Sequence, residues 1–459
     1  MSARTAVVGG GLAGLTAALR LADQGHDVVL LEARPRLGGL TSSFPRDSAA
    51  GPLEVDTGQH VFLRCCTEYL AFLDRLGVAG QVHLQDRLTI PVARPRPGRD
   101  PLQTTLRRSG LPAPAHLAAA LARYRLLAPA DRLRAARAAL ALRRVDPAAP
   151  ATDARSFGAW LTDHGQRPQA VSALWDLIGV AALNAPAGEA SLALAATVFT
   201  IGLLSAADAA DIGWSRVPLQ ELHGRAGERA LAAVGARVRA GVRVTDLARD
   251  GDSWVLSTRE GADGPGREVV DHVVLAVPPA AAEQLAPAGA VALPAGWSAR
   301  LGAVPIVNVH VVYDRPVLDT PFLAAVDSPV QWVFDRTEAS GCRNGQYVAV
   351  SLSAARDVVG KPAAQVSQQI LPALADVLPR ARSARVLDSF VTRERQATFD
   401  PAPGQAAVRP PQRTSAPGLV LAGAWTDTGW PATMEGAVRS GNAAVAALSA
   451  GVGRTAVAA

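Results

Sequence analysis

The chain has 459 residues, 49% hydrophobic and 19% charged, with a formal net charge of +6 and a sequence pI of about 9.8. That length can bury a full core in two or three domains, and so apolar a composition excludes a disordered chain. The positive balance is nearly all arginine, Lys361 being the only lysine, and no basic run is interleaved with aromatics, which argues against nucleic acid as a partner. Cys65, Cys66 and Cys342 match neither a disulfide framework nor a metal-ligand spacing, so no metal is expected. Residues 1–8 lead straight into a strand without a signal-peptide pattern, and a reducing cytoplasm fits best.

In chain order, "TAVVGG", "LAGLTAALRLADQG" and "DVVLLEA" read as strand, helix and strand: a β-α-β unit that opens a parallel sheet. Residues 94–114, rich in Pro, Arg and Gly, read as a loop. Residues 115–144 read as helix broken at Pro129, and a mostly helical region continues to about 213. Within it, Ala190 to Ala207 is uncharged and near the length of a membrane span, but Glu189 and Asp208 flank it, so it reads as a buried helix. Residues 236–279 read as a small meander followed by a buried strand. Strands follow at "PIVNVHVVYD" and "QYVAVSLSA", then a helix over Ala363–Val377, the strand "LVLAGAW" and a last helix from about Thr433.

Gly9, Gly11 and Gly14 form G-x-G-x-x-G between strand and helix, and Glu32 ends the next strand. Such glycines allow a tight turn and close approach of a pyrophosphate, the helix N-terminus stabilises its charge, and the acid can accept from a ribose hydroxyl. The chain continues "ARPRLGG" at 33–39, then "VDTGQHVFL" at 55–63, "LWDLIGVAALNAP" at 174–186, "QWVFDR" at 331–336 and "LAGAWTDTGWPATMEGAVRSG" at 421–441. On these segments the sequence resembles the amine oxidase and phytoene desaturase superfamily. Within it, the chain is similar to the hydroxysqualene dehydroxylases, also called squalene-associated FAD-dependent desaturases.

The resemblance implies FAD as cofactor. It implies that Gly9, Gly11, Leu12, Ala13 and Gly14 line the pyrophosphate, Glu32 and Ala33 the adenosine ribose, and Val244 the adenine. Arg36, Gly38, Gly39 and Leu40 would line the phosphate and ribityl side, and Gly58 and Gln59 would approach the flavin. Gly423, Trp430, Thr433, Met434 and Glu435 would form its far end. Two positions depart from the pattern: Leu40 stands where many members have arginine, and Ala424 where the common pattern has an acid, for which Asp427 is the nearest substitute.

The implied fold class is α/β: a Rossmann-like FAD-binding domain from residues 1–90, 214–290 and 385–459, with an inserted mixed-sheet and helical substrate domain from 91–213 and 291–384. The implied reaction is reductive dehydroxylation of a C30 hydroxysqualene to squalene, as in hopanoid synthesis, with His60 as first candidate for the acid, then Asp56, and Gln59 beside them. Asn184 and Asp335 are further polar candidates. A carotenoid-type desaturase or amine oxidase is the alternative within the class, and a non-catalytic polyprenyl-lipid carrier the alternative outside it. No second nucleotide motif is present, so the electron donor is external and unidentified. Residues 115–144 carry seven arginines among leucines and alanines with only Asp131 acidic, the pattern either of a basic helix lying on the inner face of a cytoplasmic membrane or of a solvated helix face in an arginine-rich chain.

Overall fold

A computed structural model describes residues 2–261 and 264–455. Strand β1 (Arg4–Val8), helix α1 (Leu12–Asp23) and strand β2 (Asp27–Glu32) form the expected opening unit. They belong to a five-stranded parallel sheet ordered Arg237–Ala240, β2, β1, His272–Leu275, Leu419–Leu421. Both faces are covered, so its strands are continuous apolar runs such as "VVLL" and "LVL" rather than alternating ones. The chain leaves β1 toward β2 on one side and returns beside β1 only at His272, so the carboxyl ends of β1 and His272–Leu275 form a topological switch point. In open α/β sheets that is where a crevice for a ligand lies.

The final helix, Met434–Thr455, packs along α1 on one face of this sheet. Gly441 permits the approach: a Cβ there would stand 2.5 Å from the Ala13 carbonyl oxygen and 2.8 Å from Thr16 Cβ. The antiparallel meander Val242–Asp250, Ser253–Glu260, Gly264–Val270 follows the strand Arg237–Ala240.

A second, seven-stranded mixed sheet runs Val386–Thr398, Val304–Tyr313, Gln346–Leu352, Trp332–Asp335, Phe322–Ala325, Thr89–Arg96, Arg99–Arg107. Along its longest inner strand, Val304–Tyr313, Val307, Val309, Val311 and Tyr313 face the helix Ala363–Val377, packing with Val366, Ile370 and Leu374. The alternate residues Asn308, His310 and Val312 face the opposite way, as the period of two requires. Residues 94–114 are not a loop: Thr89–Arg96 and Arg99–Arg107 are an antiparallel hairpin turning at Gly98, where φ is +66°. Val386–Thr398, grouped above with the flavin-binding segments, pairs along Val304–Tyr313, so the seven-stranded sheet extends to Thr398.

All eight residues of Leu192–Phe199 are buried, in a cluster with Phe157, Trp160 and Trp175. Among the described residues no helix is long and apolar enough to cross a membrane.

Candidate functional site

The first turn is built around missing side chains. A Cβ at Gly14 would lie 1.9 Å from the Gly9 carbonyl oxygen, and one at Gly9, whose φ is +108°, would lie 2.3 Å from the carbonyl oxygen of Ala276 beyond the neighbouring strand. Leu12 and Ala13 open α1 with Gly11 at its N-cap and no side-chain cap, so the first-turn N–H groups stay free for an anion. Glu32 accepts from the N–H of Gly10 (2.6 Å) and of Arg34 (2.8 Å), and a carboxylate so held retains lone pairs for a hydroxyl. Ala33 is exposed beside it, and the Gly241 N–H donates to the Arg34 carbonyl (2.9 Å), which brings the start of the meander, with Val244, to the same end.

Arg36, Gly38 and Gly39 fold back over this turn. The Gly38 N–H donates to the Gly10 carbonyl (2.8 Å), and a Cβ at Gly39 would stand 3.0 Å from the Gly11 Cα. Arg36 Nε is buried with no partner. A donor without an acceptor at the rim of a glycine cradle is what a bound phosphate would satisfy, so the residues present fit a dinucleotide. Leu40 is 40% exposed at the edge of the same segment.

From here contacts lead along the crevice. Thr57 Oγ1 donates to the Leu40 carbonyl (2.6 Å), placing Gly58, Gln59 and His60 next in line. His223 joins this wall to the last helix: its Nδ1 meets the Thr41 carbonyl (3.3 Å), its Nε2 the Tyr69 hydroxyl (2.8 Å), and the Tyr69 N–H donates to the Glu435 carboxylate (2.8 Å). Burial drives the His223 pKa down to about 3, so the ring is neutral. Thr433 caps the last helix, accepting from the Gly436 N–H (3.1 Å), which leaves the Met434 and Glu435 N–H groups as its first-turn donors. Gly423 donates to Ser440 Oγ (2.8 Å), and Trp430 lies 4.7 Å beneath the Arg439 guanidinium.

The backbone at Ala424 is held by a residue the sequence reading did not single out. Arg409, 6% exposed, donates to the carbonyls of Ala424 (3.3 Å), Trp425 (3.4 Å) and Thr426 (2.5 Å). Burial without a contacting carboxylate lowers its pKa to about 10.

Asp56, 4% exposed, accepts from Ser43 Oγ (2.6 Å), the Leu219 N–H (3.0 Å) and Arg336 Nη2 (2.7 Å), while Arg336 Nη1 donates to the Ser215 carbonyl (3.0 Å). Four segments meet on this one ion pair. Asn184 and Asp335 are likewise engaged: Asn184 bridges the Val304 carbonyl, Thr398 and the Ala354 N–H, and Asp335 accepts from Thr337 and Gln346.

His60 is half-buried, with Nδ1 3.0 Å from the Gly58 carbonyl oxygen. A carbonyl only accepts, so Nδ1 carries the hydrogen and a neutral ring presents Nε2 as an acceptor. Burial pulls its pKa below 6.5. The Gly58 bond and Asp56 oppose this, and Arg336 adds to it. Gln59 Nε2 is buried without a partner, as are both amide atoms of Asn308, a fully buried residue missed in the sequence.

Beyond this point the wall is aromatic: Trp214 meets Phe322 edge-on at 5.6 Å, and the Trp332 and Phe334 rings stack at 6.1 Å. A cleft of about 520 Å³ outside Arg336 is lined by His83, Arg216, Asp335 and Glu338 together with Trp214, Leu318 and Pro321.

Residues 12–449 match the family of flavin containing amine oxidoreductases. The chain is 31% identical to the hydroxysqualene dehydroxylase of Rhodopseudomonas palustris over 98% of its own length and 100% of the relative's. It is 24% identical to the zeta-carotene desaturase of Zea mays, over 95% of this chain and 82% of that one. Among solved structures it is similar to cyclohexylamine oxidase from Brevibacterium oxydans, with a TM-score of 0.70 at 19% identity covering 99% of this chain and 100% of that one. The chain therefore belongs to the flavin-containing amine oxidoreductases, and it is an oxidoreductase whose cofactor is FAD.

Proposed function

We propose that this enzyme removes the hydroxyl of hydroxysqualene reductively, giving squalene. The end-to-end likeness to a hydroxysqualene dehydroxylase carries the reading. The site agrees in kind: a few polar groups around Gly58 border an aromatic, apolar wall. Amine oxidation is less well served, because there are only four tyrosines to build an aromatic cage, and the hydroxyls of Tyr69, Tyr124 and Tyr347 are engaged by His223, the Ala173 carbonyl and His310.

In this proposal the glycine turn, Arg36 and Glu32 hold the pyrophosphate and adenosine, and the Met434 and Glu435 N–H groups stabilise negative charge at the far end of the cofactor. Bound and reduced, FAD supplies a hydride. The allylic C–O bond breaks as a proton joins the hydroxyl, water leaves, and the carbon accepts the hydride, so a hydroxyl is exchanged for hydrogen. His60 Nε2 is the atom proposed to hand over that proton. Burial disfavours the charged ring, while the Gly58 carbonyl and Asp56 favour it. Asp56 is proposed as the strut that fixes the loop carrying His60, and Gln59 as a donor within the site.

An insoluble C30 substrate calls for delivery from a lipid surface. Of the arginines in 115–144, Arg132 and Arg134 are spent on the Leu127 carbonyl and Asp131. Arg123, Arg125, Arg137, Arg143 and Arg144 are exposed, beside Leu133 at 54% and Leu140 at 51% exposure. Leucines at i and i+7 among cations suit an anionic bilayer.

Incubation of the FAD-loaded protein with hydroxysqualene and dithionite, with product analysis, is the test. Squalene formation is expected. Failure to form it, with conversion of a polyene to a longer conjugated system under oxidising conditions, would replace this reading by the desaturase one.

A further inference from the structure

Asn308 stands out among the buried polar residues. It is fully buried on the strand next to the Val386–Thr398 edge of the seven-stranded sheet, yet neither its Oδ1 nor its Nδ2 has a protein partner. Its backbone groups belong to the ladder, so the amide is the part left over. An unpaired buried amide weakens a fold, and such a residue in a native core calls for an explanation in function.

Its surroundings indicate the use. A Cβ at Gly58 would lie 3.9 Å from Asn308 Nδ2 and 3.2 Å from His60 Cε1, so the amide and the imidazole flank the same glycine. Across the sheet, Asn308 is opposite Ser351, Ser351 is opposite Trp332, Trp332 is opposite Ala324, and Ala324 is opposite Val92. Residues directly opposite share a face. That row thus begins with an amide and a hydroxyl and continues as indole, methyl and isopropyl. The next row places Phe334 opposite Phe322, and Phe322, Phe334, Ala324 and Val92 all belong to the large apolar cluster, with Trp332 packed against it. One face of one sheet therefore has a polar end beside His60 and a long apolar remainder.

We infer that the Asn308 amide, with the likewise unpaired Gln59 amide that follows Gly58 in the chain, is the hydroxyl-binding site for the substrate, and that the partly exposed Ser351 and Trp332 of the same row border its hydrocarbon chain. The chemistry matches on both sides. An alcohol is at once a donor and an acceptor, and a carboxamide offers one of each; a hydrocarbon would leave both amide atoms unpaired and be rejected for that reason. The site then selects the alcohol and holds its oxygen within reach of the group that protonates it, and releases the product once the oxygen has gone. This inference rests on the dehydroxylase reading and names the residue that distinguishes its substrate from its product.

The experiment uses the full-length FAD-loaded protein in detergent, with the flavin oxidised so that no turnover occurs. Binding of hydroxysqualene and of squalene is followed by perturbation of the flavin absorbance in wild type, Asn308→Leu and Asn308→Ser. Asn308→Leu should weaken hydroxysqualene about 10- to 100-fold and leave squalene within about threefold, with Asn308→Ser in between. FAD content and the ligand-free visible spectrum should not change, and the thermal midpoint of Asn308→Leu should equal or exceed that of wild type. Equal weakening of alcohol and hydrocarbon would overturn the inference. So would a shifted flavin spectrum with the preference for alcohol intact, because the amide would then serve the cofactor. If wild type does not dehydroxylate hydroxysqualene, the functional reading falls. The same comparison with a C15 allylic alcohol and its parent hydrocarbon then decides separately whether Asn308 recognises a hydroxyl.

Discussion

Replacing Asp56 by Asn separates a strut from an acid. The new Nδ2 would either face Arg336 Nη2 across the present 2.7 Å contact, donor against donor, or turn and lose the bonds from Ser43 and the Leu219 N–H. Both partners are nearly inaccessible, Asp56 at 4% and Arg336 at 8%, so screening by water does little and removal of one charge should cost about 3–5 kcal/mol. With about 2.1 cal/mol/K of unfolding entropy per residue, a chain of 459 residues has roughly 1 kcal/mol/K, so the midpoint should fall by about 3–5 °C. The double variant Asp56→Asn with Arg336→Met, which leaves no unpaired charge, should recover about 2 kcal/mol or more of the summed single costs. The assay is thermal unfolding of the FAD-loaded protein for all four species, with turnover at a temperature where each stays folded. A strut predicts lost stability and turnover within about tenfold of wild type. If Asp56→Asn melts with wild type yet loses about a thousandfold in turnover, the carboxyl is chemical and the strut assignment is refuted.

Gly14→Ala places a methyl 1.9 Å from the Gly9 carbonyl oxygen and should abolish FAD retention on gel filtration, whereas Gly80→Ala, with nothing within 4 Å, should retain it. Arg409→Met frees the carbonyls of residues 424–426 and should weaken FAD about tenfold in an apoprotein titration; unchanged affinity would show that this segment holds itself. His223 and His310 both have pKa values lowered by burial to about 3 from 6.5, so the unfolded chain takes up protons first as pH falls, and stability decreases from about pH 6.5 downward. At pH 5 the loss should be about 2 kcal/mol for each, which urea titrations at pH 7, 6 and 5 would measure; a flat profile would mean the two rings take up protons as readily in the folded protein as in the unfolded chain. Leu133→Asp with Leu140→Asp should abolish salt-sensitive flotation with anionic vesicles and leave turnover of detergent-dispersed substrate unchanged.

Local pattern carried the opening β-α-β unit and the helix Ala363–Val377, because each is fixed by apolar spacing within its own few turns. The hairpin over residues 89–107 was hidden by Pro91, Pro95 and several arginines, which mask alternation although Ile90, Val92 and Leu106 turn inward. Val386–Thr398 gave no inward face to read, since none of its residues is fully buried. The crevice glycines were legible because a tight turn needs glycine wherever it occurs. Arg336 lies 280 residues from Asp56, and Asn308 reads as an interruption in a run of valines; only the closed fold shows one as a partner and the other as unpaired.

The contact of α1 with Met434–Thr455 bears on how the protein is made. β1 and β2 are among the first segments to emerge during synthesis, but Leu419–Leu421 and the helix that packs on Ala13 and Thr16 emerge nearly last. At 5–20 residues per second, synthesis of the intervening chain takes roughly 20–80 s. His272–Leu275 covers the free edge of β1 part-way through, but until Leu419–Leu421 and the last helix emerge, the outer edge of His272–Leu275 and the apolar side of α1 have no native cover. Cofactor loading is therefore expected only once Met434–Thr455 has emerged, and scarcity of flavin would appear first as aggregation of newly made chains.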